Sequence, residues 1–311
     1  MKGIMNKIKI VLAYKSFPMT MAHYFRRPLE SREDVELFTV GEHYGQWIPW
    51  NGGMNIPMKY PNQVDLPLPR GMDRPAWEVV KGRLPWKPDL VLNVDANFHF
   101  STKPNAPYYV VATDPHCLSD WYVPVRKIAD KFFNMQGTPY IQPGDVWLPY
   151  AFDPTAHYLV DTVSKEYDCS IIGLHYPQRD EWVRRLREKG VTVNYRIGDI
   201  FDEYREENNR AWIGLNWSSL QDVTARVFEI MAMRMVPVLN RLPGLDELGF
   251  GDGRHYLGFS TMDEAVEKVM WAKANPEFAK QIALEAYQYV HNKNMTYKNR
   301  VNQIIDEFRK G

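Results

Sequence analysis

DCSIIGLHYPQRDEWVRRLREKGVTVNYRIG, residues 168–198, decides the fold class. Its opening, DCSIIGL (168–174), is a short apolar run of strand type. DEWVRRLREKG (180–190) follows as a helix that stops at a glycine. VTVNYRIG (191–198) then returns as a second strand. Strand, helix, strand is the unit from which parallel sheets are wound. The pattern continues downstream. AWIGLNW (211–217) and VPVLN (236–240) read as strands, with DVTARVFEIMAMRM (222–235) between them as a helix. Val223, Val227, Ile230 and Met231 share one apolar stripe of that helix. Further helices are expected at 261–274, 276–291 and 297–309.

Upstream the same theme appears with longer connections. IKIVLAY (8–14), VELFTV (35–40), DLVLNV (89–94), PYYVVAT (107–113) and KFFNM (131–135) read as strands. VWLPYAFDP (146–154) is a short strand entering a turn, and helices are expected within 18–32 and 121–131. Residues 41–88 are too rich in Pro and Gly for regular elements and too aromatic for a linker. They read either as a functional surface or as an irregular cap over a hydrophobic edge. The expected class is therefore α/β, with two doubly wound domains.

Length agrees, since 311 residues at about 150 per domain give two. Lys plus Arg total 38 and Asp plus Glu total 38, so the net charge is zero. That argues against a protein that holds nucleic acid by a global positive field, while leaving a local basic groove open. The halves differ: residues 1–150 carry a net +3 and 17 of the 22 prolines, and residues 151–311 carry −3. No apolar run approaches the roughly 20 residues that span a bilayer. The start, MKGIMNKIKIVLAY, lacks a small-residue cleavage site and reads as a first strand. Cys117 and Cys169 have no metal-like spacing, and a reducing cytoplasm is the expected setting.

Ligands of open α/β sheets bind beyond the carboxyl ends of the strands, so the strand exits are the first candidates for a site. SSLQDVTARVFE (218–229) leads a polar exit into a helix. Ser219 or Asp222 is placed to cap it, and Ser218 and Thr224 add polar groups. A helix start with Arg226 in its first turns suits a diphosphate, and Glu229 suits the vicinal hydroxyls of a sugar. The alternative is an Arg–Glu surface pair at i, i+3. GLHYPQR (173–179) is a second such exit, with Gly173 permitting close approach and His175 and Arg179 as donors; an ordinary polar loop is the alternative. Asp114 and His116 in ATDPHC suit sugar hydroxyls or proton handling, or Asp114 is merely a cap. DANFH (95–99) reads chiefly as structural. GxGxxG and GxxxxGK[ST] are missing, which argues against classical dinucleotide and P-loop chemistry, and HExxH, GxSxG and CxxC do not occur either.

The stretch RVFEIMAMRMVPVLNRLPGLDEL, with the helix pair that closes the chain, resembles the C-terminal domain of GT-B glycosyltransferases, nearest the glycosyltransferase-4-like group that includes CgeB-like proteins. Arg226, Phe228, Glu229, Ala232 and Pro237, then Glu247 and Leu248, then Ala283, Val290, Thr296, Tyr297 and Arg300 match its motifs. LPYAFDPTAH (148–157) and 167–190 fit too, and 1–145 fit in outline. Gln221 stands where many relatives have a second glutamate, and Arg234–Met235 where Cys–Gly is common. The resemblance implies two Rossmann-like domains facing across a cleft: 1–152 on the acceptor side, 153–295 for the nucleotide-sugar, and a helix, 296–311, crossing back to the first. It implies Glu229 on the ribose, Arg226, Arg179 and the helix start on the diphosphate, and Asp114 or His116 near the sugar. It implies a hexosyltransferase that needs no metal or cofactor, uses a nucleotide-sugar such as a UDP-sugar as co-substrate, and retains anomeric configuration. The acceptor stays open among a glycan, a small molecule, a protein and modified DNA. A phage-type DNA-base glycosyltransferase and a non-catalytic sugar-nucleotide binder are the alternatives.

Overall fold

Apolar runs such as LVLNV and YYVVA have no hydrophilic face, so as strands they must be covered on both sides, as parallel sheets are. In the computed structural model, residues 6–17, 19–42, 47–50, 54–57 and 64–311 are described. Two compact units are present, one built on residues up to Trp50 with Asn55–Pro149 and Tyr297–Gly311, the other on Tyr150–Thr296.

The first unit runs β1 (Ile8–Ala13), α1 (Ala22–Glu30), β2 (Val35–Glu42), β3 (Trp47–Trp50), β4 (Met54–Pro57), β5 (Leu66–Leu68), α2 (Trp77–Lys81), β6 (Leu90–Val94), β7 (Tyr108–Ala112), α3 (Ser119–Arg126), β8 (Lys131–Asn134) and β9 (Val146–Trp147). Seven strands form one parallel sheet in the order β5-β2-β1-β6-β7-β8-β9. β6 and β7 are buried at every residue. Trp77, Phe98, Phe100, Tyr108 and Tyr122 fill the core on one face. The stretch 41–88 is less irregular than expected, since β3, β4, β5 and α2 lie within it. Leu66 and Leu68 reach the core by alternating inward, and Trp77 and Val80 anchor α2. Residues 43–46, 51–53 and 58–63 of that stretch lie outside the described residues.

The second unit runs β10 (Tyr167–Gly173), α4 (Pro177–Glu188), β11 (Val193–Ile197), α5 (Phe201–Asn209), β12 (Ala211–Asn216), α6 (Ala225–Ala232), β13 (Val236–Asn240), α7 (Pro243–Glu247), β14 (Leu257–Phe259), α8 (Met262–Ala274) and α9 (Pro276–Asn292). Its five strands are parallel in the order β11-β10-β12-β13-β14. The final helix, α10 (Tyr297–Arg309), belongs to the first unit. There the fully buried ring of Tyr297 stacks on Tyr24 at 4.8 Å. Buried Arg300 donates from Nε to the Pro149 carbonyl at 2.7 Å, and Lys131 pairs with Glu307 at 2.6 Å. No helix among the described residues is long and apolar enough to cross a membrane.

Two helix ends show how local chemistry sets boundaries. α4 closes in a Schellman motif: Gly190 (φ 74°) donates to the Arg187 carbonyl and Val191 to that of Leu186. α6 closes the same way, with Arg234 donating to the Met231 carbonyl and Met235 to that of Ile230. Arg234 then sits at φ 55°, where a Cβ is strained. The helix therefore spans 225–232, not the expected 222–235. Because Arg234 is exposed, its side chain contributes little to offset that strain. Arg234→Gly is accordingly expected to stabilise the protein by about 0.5–1 kcal/mol, read as a higher urea midpoint at unchanged slope. A lower midpoint would show that the arginine side chain outweighs the backbone term.

Candidate active site

In each unit the sheet is wound outward in both directions from one strand, and the reversal leaves a crevice at the carboxyl ends of the neighbouring strands. In the second unit that point lies between β10 and β12, which are hydrogen-bonded neighbours. Their exits lead to α4 and α6, so topology alone brings Arg179 and Arg226 together.

They meet over Gly173, the last residue of β10. A Cβ there would lie 2.5 Å from Arg226 Nη2 and 2.7 Å from Arg179 Nη1. Only a residue without a side chain leaves that volume to both guanidinium groups. Arg179 is buried, donates from Nη1 to the Leu174 carbonyl, and lies 5.1 Å over the Tyr176 ring. Arg226 Nη1 donates to Asn216 Oδ1 at 3.2 Å, while its Nε is buried without an acceptor. Burial, then the Arg226 charge, push the Arg179 guanidinium down to about 10. It stays charged at neutral pH. Neither arginine forms an ion pair among the described residues. Two adjacent cations, one buried and one half-buried, are expensive without a counter-ion, and an anion placed between them removes much of that cost.

Glu229, one turn beyond Arg226, is also buried, and its Oε1 lies 3.6 Å from Nε2 of His157. The backbone N–H of Asp153 donates to His157 Nδ1 at 3.1 Å. That bond assigns the ring proton of the neutral imidazole to Nε2, facing the carboxylate. The turn is held by Asp153 Oδ1, which accepts from the N–H and hydroxyl of Thr155 at 2.8 and 2.7 Å. His157 lies in LPYAFDPTAH, yet nothing in that string indicates that it meets Glu229, because the contact spans 72 positions of sequence.

The other expected residues take different places. Ser218 and Asp222 are buried and bonded to each other, the hydroxyl donating to the carboxylate and the Asp222 N–H returning to the hydroxyl at 3.0 Å. Asn240 Oδ1 accepts from the Ser218 N–H at 3.0 Å. This closed turn shapes the approach to α6. The helix cap itself is Thr224, extended at φ −88° and ψ 161° and making no side-chain cap bond, so neither Ser219 nor Asp222 caps the helix as expected. Thr224 Oγ1 instead accepts from Asn216 Nδ2 at 3.3 Å. Ser219 is exposed. His175 is exposed and bound to Asp180 at 2.7 Å, with the Tyr195 hydroxyl donating to the same carboxylate at 2.8 Å. Gly173, Arg179, Arg226 and Glu229 are thus brought together, and His175 and Ser219 are not part of that group.

In the first unit the exits of β6 and β7 carry Asp95 and Asp114, both at positive φ (79° and 45°). Asp95 Oδ1 accepts from Ala96 N at 2.6 Å, Asn97 Nδ2 at 3.1 Å and the Thr113 hydroxyl at 3.1 Å. The Asp114 carbonyl accepts from the N–H groups of Cys117 and Leu118, and the His116 ring packs 4.7 Å from that of Tyr140. Burial, then the Asp114 charge, push the Asp95 carboxyl up to about 6. Asp95 is the structural residue the sequence implied, but it is also electrostatically tied to Asp114.

Residues 156–306 match the family model described as "Glycosyl transferase-like". Sucrose-phosphate synthase from Thermosynechococcus elongatus superposes with a TM-score of 0.62 at 10% identity, covering 98% of this chain and 99% of its own. Anabaena HepE, solved with UDP and glucose, gives 0.65 at 11% identity, covering 98% and 100%. An alpha-glucosyltransferase, solved with UDP and a 13-mer DNA containing an A:G mismatch, gives 0.65 at 11% identity, covering 96% and 100%. Among curated proteins none matches. The likeness to these structures gives the architecture as GT-B, and residues 156–306 are similar to the glycosyl transferase-like family.

The Asp95 carboxyl makes a pH prediction. Its folded value lies above the ordinary 3.8, so the folded state holds the proton more tightly than the unfolded state. Its contribution to stability is greatest at low pH and is lost as pH rises through about 6. The stability of wild type relative to Asp95→Asn, from urea melts, should therefore fall between about pH 4 and 6 and level off above. A flat difference across that window would overturn the assignment.

Proposed function

We propose that this chain is a glycosyltransferase that takes its sugar from a nucleoside diphosphate-sugar, with a UDP-sugar as the donor, and transfers a hexose to an acceptor hydroxyl with retention and without a metal. The observation that carries the reading is the pair of guanidinium groups over Gly173, Arg179 buried and Arg226 half-buried, without carboxylate partners among the described residues. Cleavage of the sugar–phosphate bond places growing negative charge on the departing diphosphate. Arg179 and Arg226 offer two fixed positive charges in a low-dielectric setting, where such stabilisation is largest. This is the task a divalent cation performs elsewhere, which is why the reading includes metal independence. The start of α6, without a side-chain cap, adds N–H groups and the positive end of the helix dipole.

Glu229 is the carboxylate for the ribose: it accepts from two vicinal hydroxyls while His157 orients it from behind. The choice of UDP draws on HepE and the alpha-glucosyltransferase, whose structures hold UDP. Retention, and membership of the CgeB-like group, draw on the motif around Arg226 and Glu229. Asp114 and His116 are the first unit's candidates for handling the acceptor hydroxyl.

Thermal unfolding with UDP, GDP or ADP at millimolar concentration tests the donor class. UDP at about 100 times its Kd should add about 2.7 kcal/mol to stability. No shift with any of the three sinks the reading. Two variants separate the roles. Arg226→Ala should weaken UDP binding at least tenfold and leave the weaker binding of uridine nearly unchanged, because uridine has no phosphate. Glu229→Ala should weaken both. Calorimetry on the four combinations checks this, and equal UDP affinity in wild type and Glu229→Ala would remove the ribose assignment.

A further inference from the structure

A buried tyrosine hydroxyl lies beside Arg226 and Glu229. Tyr204 lies on α5, a helix that packs against β10 and β12. Its side chain belongs to an apolar cluster with Ile172, Ala211, Ile230, Met233 and Met235, and its ring meets that of His157 edge-on at 6.1 Å. The residue is 8% exposed, and its hydroxyl is buried without a hydrogen-bond partner. The groups nearest that hydroxyl are Glu229 and Arg226, within loose hydrogen-bonding reach but in no bond of ordinary geometry, and they act on it in opposite directions: the carboxylate disfavours its ionisation and the guanidinium favours it. Burial is the larger effect and raises its pKa far above the ordinary phenol value. The group is therefore a neutral O–H, available as donor and acceptor.

A buried hydroxyl without a well-made hydrogen bond destabilises the fold, whereas a phenylalanine would fill the same apolar cluster at no such cost. Arg226 Nε is the second buried polar atom here without an acceptor. Two orphaned donors thus converge on one spot, next to a carboxylate whose remaining lone pairs suit hydroxyl groups. A single chemical group fits all three. Where a nucleotide's ribose joins its diphosphate, phosphate oxygens accept from O–H and N–H donors, and the ribose hydroxyls beside them donate to a carboxylate.

Resting on the donor reading above, we propose that Tyr204 is a further donor-binding residue, whose hydroxyl donates to a phosphate oxygen at the ribose–diphosphate junction alongside Arg226 Nε. In the free protein the bond is unmade, and the bound nucleotide makes it.

Tyr204→Phe tests this through two readouts that a purely structural tyrosine would move differently. Without nucleotide the variant should be as stable as wild type or more so, because the lost hydroxyl had no partner. With UDP, calorimetry should show a five- to tenfold weaker Kd. Uridine, lacking phosphate, should bind wild type and variant alike. A variant that binds UDP as tightly as wild type overturns the assignment while leaving the donor site intact. So does a variant that loses stability without nucleotide and weakens uridine as much as UDP, since the hydroxyl then acts through the fold. Should wild type itself bind none of UDP, GDP and ADP, the donor reading falls, and the Tyr204 role with it.

Discussion

Two like charges held together without a counter-ion are the constraint around which the second unit is arranged. Arg179 and Arg226 reach across neighbouring strand exits and share the volume that Gly173 leaves free. Nothing about their mutual interaction is favourable, so packing must hold them. Arg179 is fixed by the Leu174 carbonyl and the Tyr176 ring, Arg226 by Asn216 at the end of β12. Each anchor lies within ten residues of its arginine, and each depends on a strand ending where it does.

The sheet supplies that condition. β10 and β12 are adjacent because the chain winds one way to β11 and the other way to β12, which puts the reversal between them. α6 must then lie close over β12 for Arg226 to reach Asn216. Gly214 permits it, since a Cβ there would fall 2.7 Å from the Ile230 side chain. The Schellman turn at Arg234 stops α6 after eight residues and returns the chain as β13. Its αL arginine marks a point where the fold accepts local strain to keep the helix short. The cost is a fraction of what misplacing a buried cation would incur.

How much of this was legible depended on distance along the chain. The strands at 168–174 and 211–217, the glycine stop at Gly190 and the last helix at 297–309 follow from local periodicity, and the structure has them within two residues. Gly173, Arg179, Arg226 and Glu229 were visible because strand exits in α/β sheets are where ligands bind. α5 was not expected at all: FDEYREENN offers few apolar residues, and its Tyr204 and Phe201 are buried by the sheet they pack on. The end of α6 was misjudged because the usual glycine signal is missing at Arg234. The pairing of His157 with Glu229 and the coupling of Asp95 to Asp114 needed strand order and turn geometry, which no local pattern encodes.

Net charge misleads in a related way. The first half of the chain is basic and the second acidic, yet the residues at the strand exits have the opposite signs. Two carboxylates lie at the ends of β6 and β7 in the basic half, and two guanidinium groups at the ends of β10 and β12 in the acidic half. Surface charges are screened within about 10 Å at ordinary ionic strength, and many here are already paired, as in Arg184 with Glu181 and Glu188. Of the exit charges Asp95 and Arg179 are buried, and burial, then the neighbouring charge, shifts each: Asp114 helps raise the Asp95 pKa, and Arg226 helps lower that of Arg179. A bound anion would meet those few groups at close range and feel little of the unit's net charge. The sign of a half-chain therefore says little about its ligand, whereas an unpaired buried cation at a strand exit says a great deal.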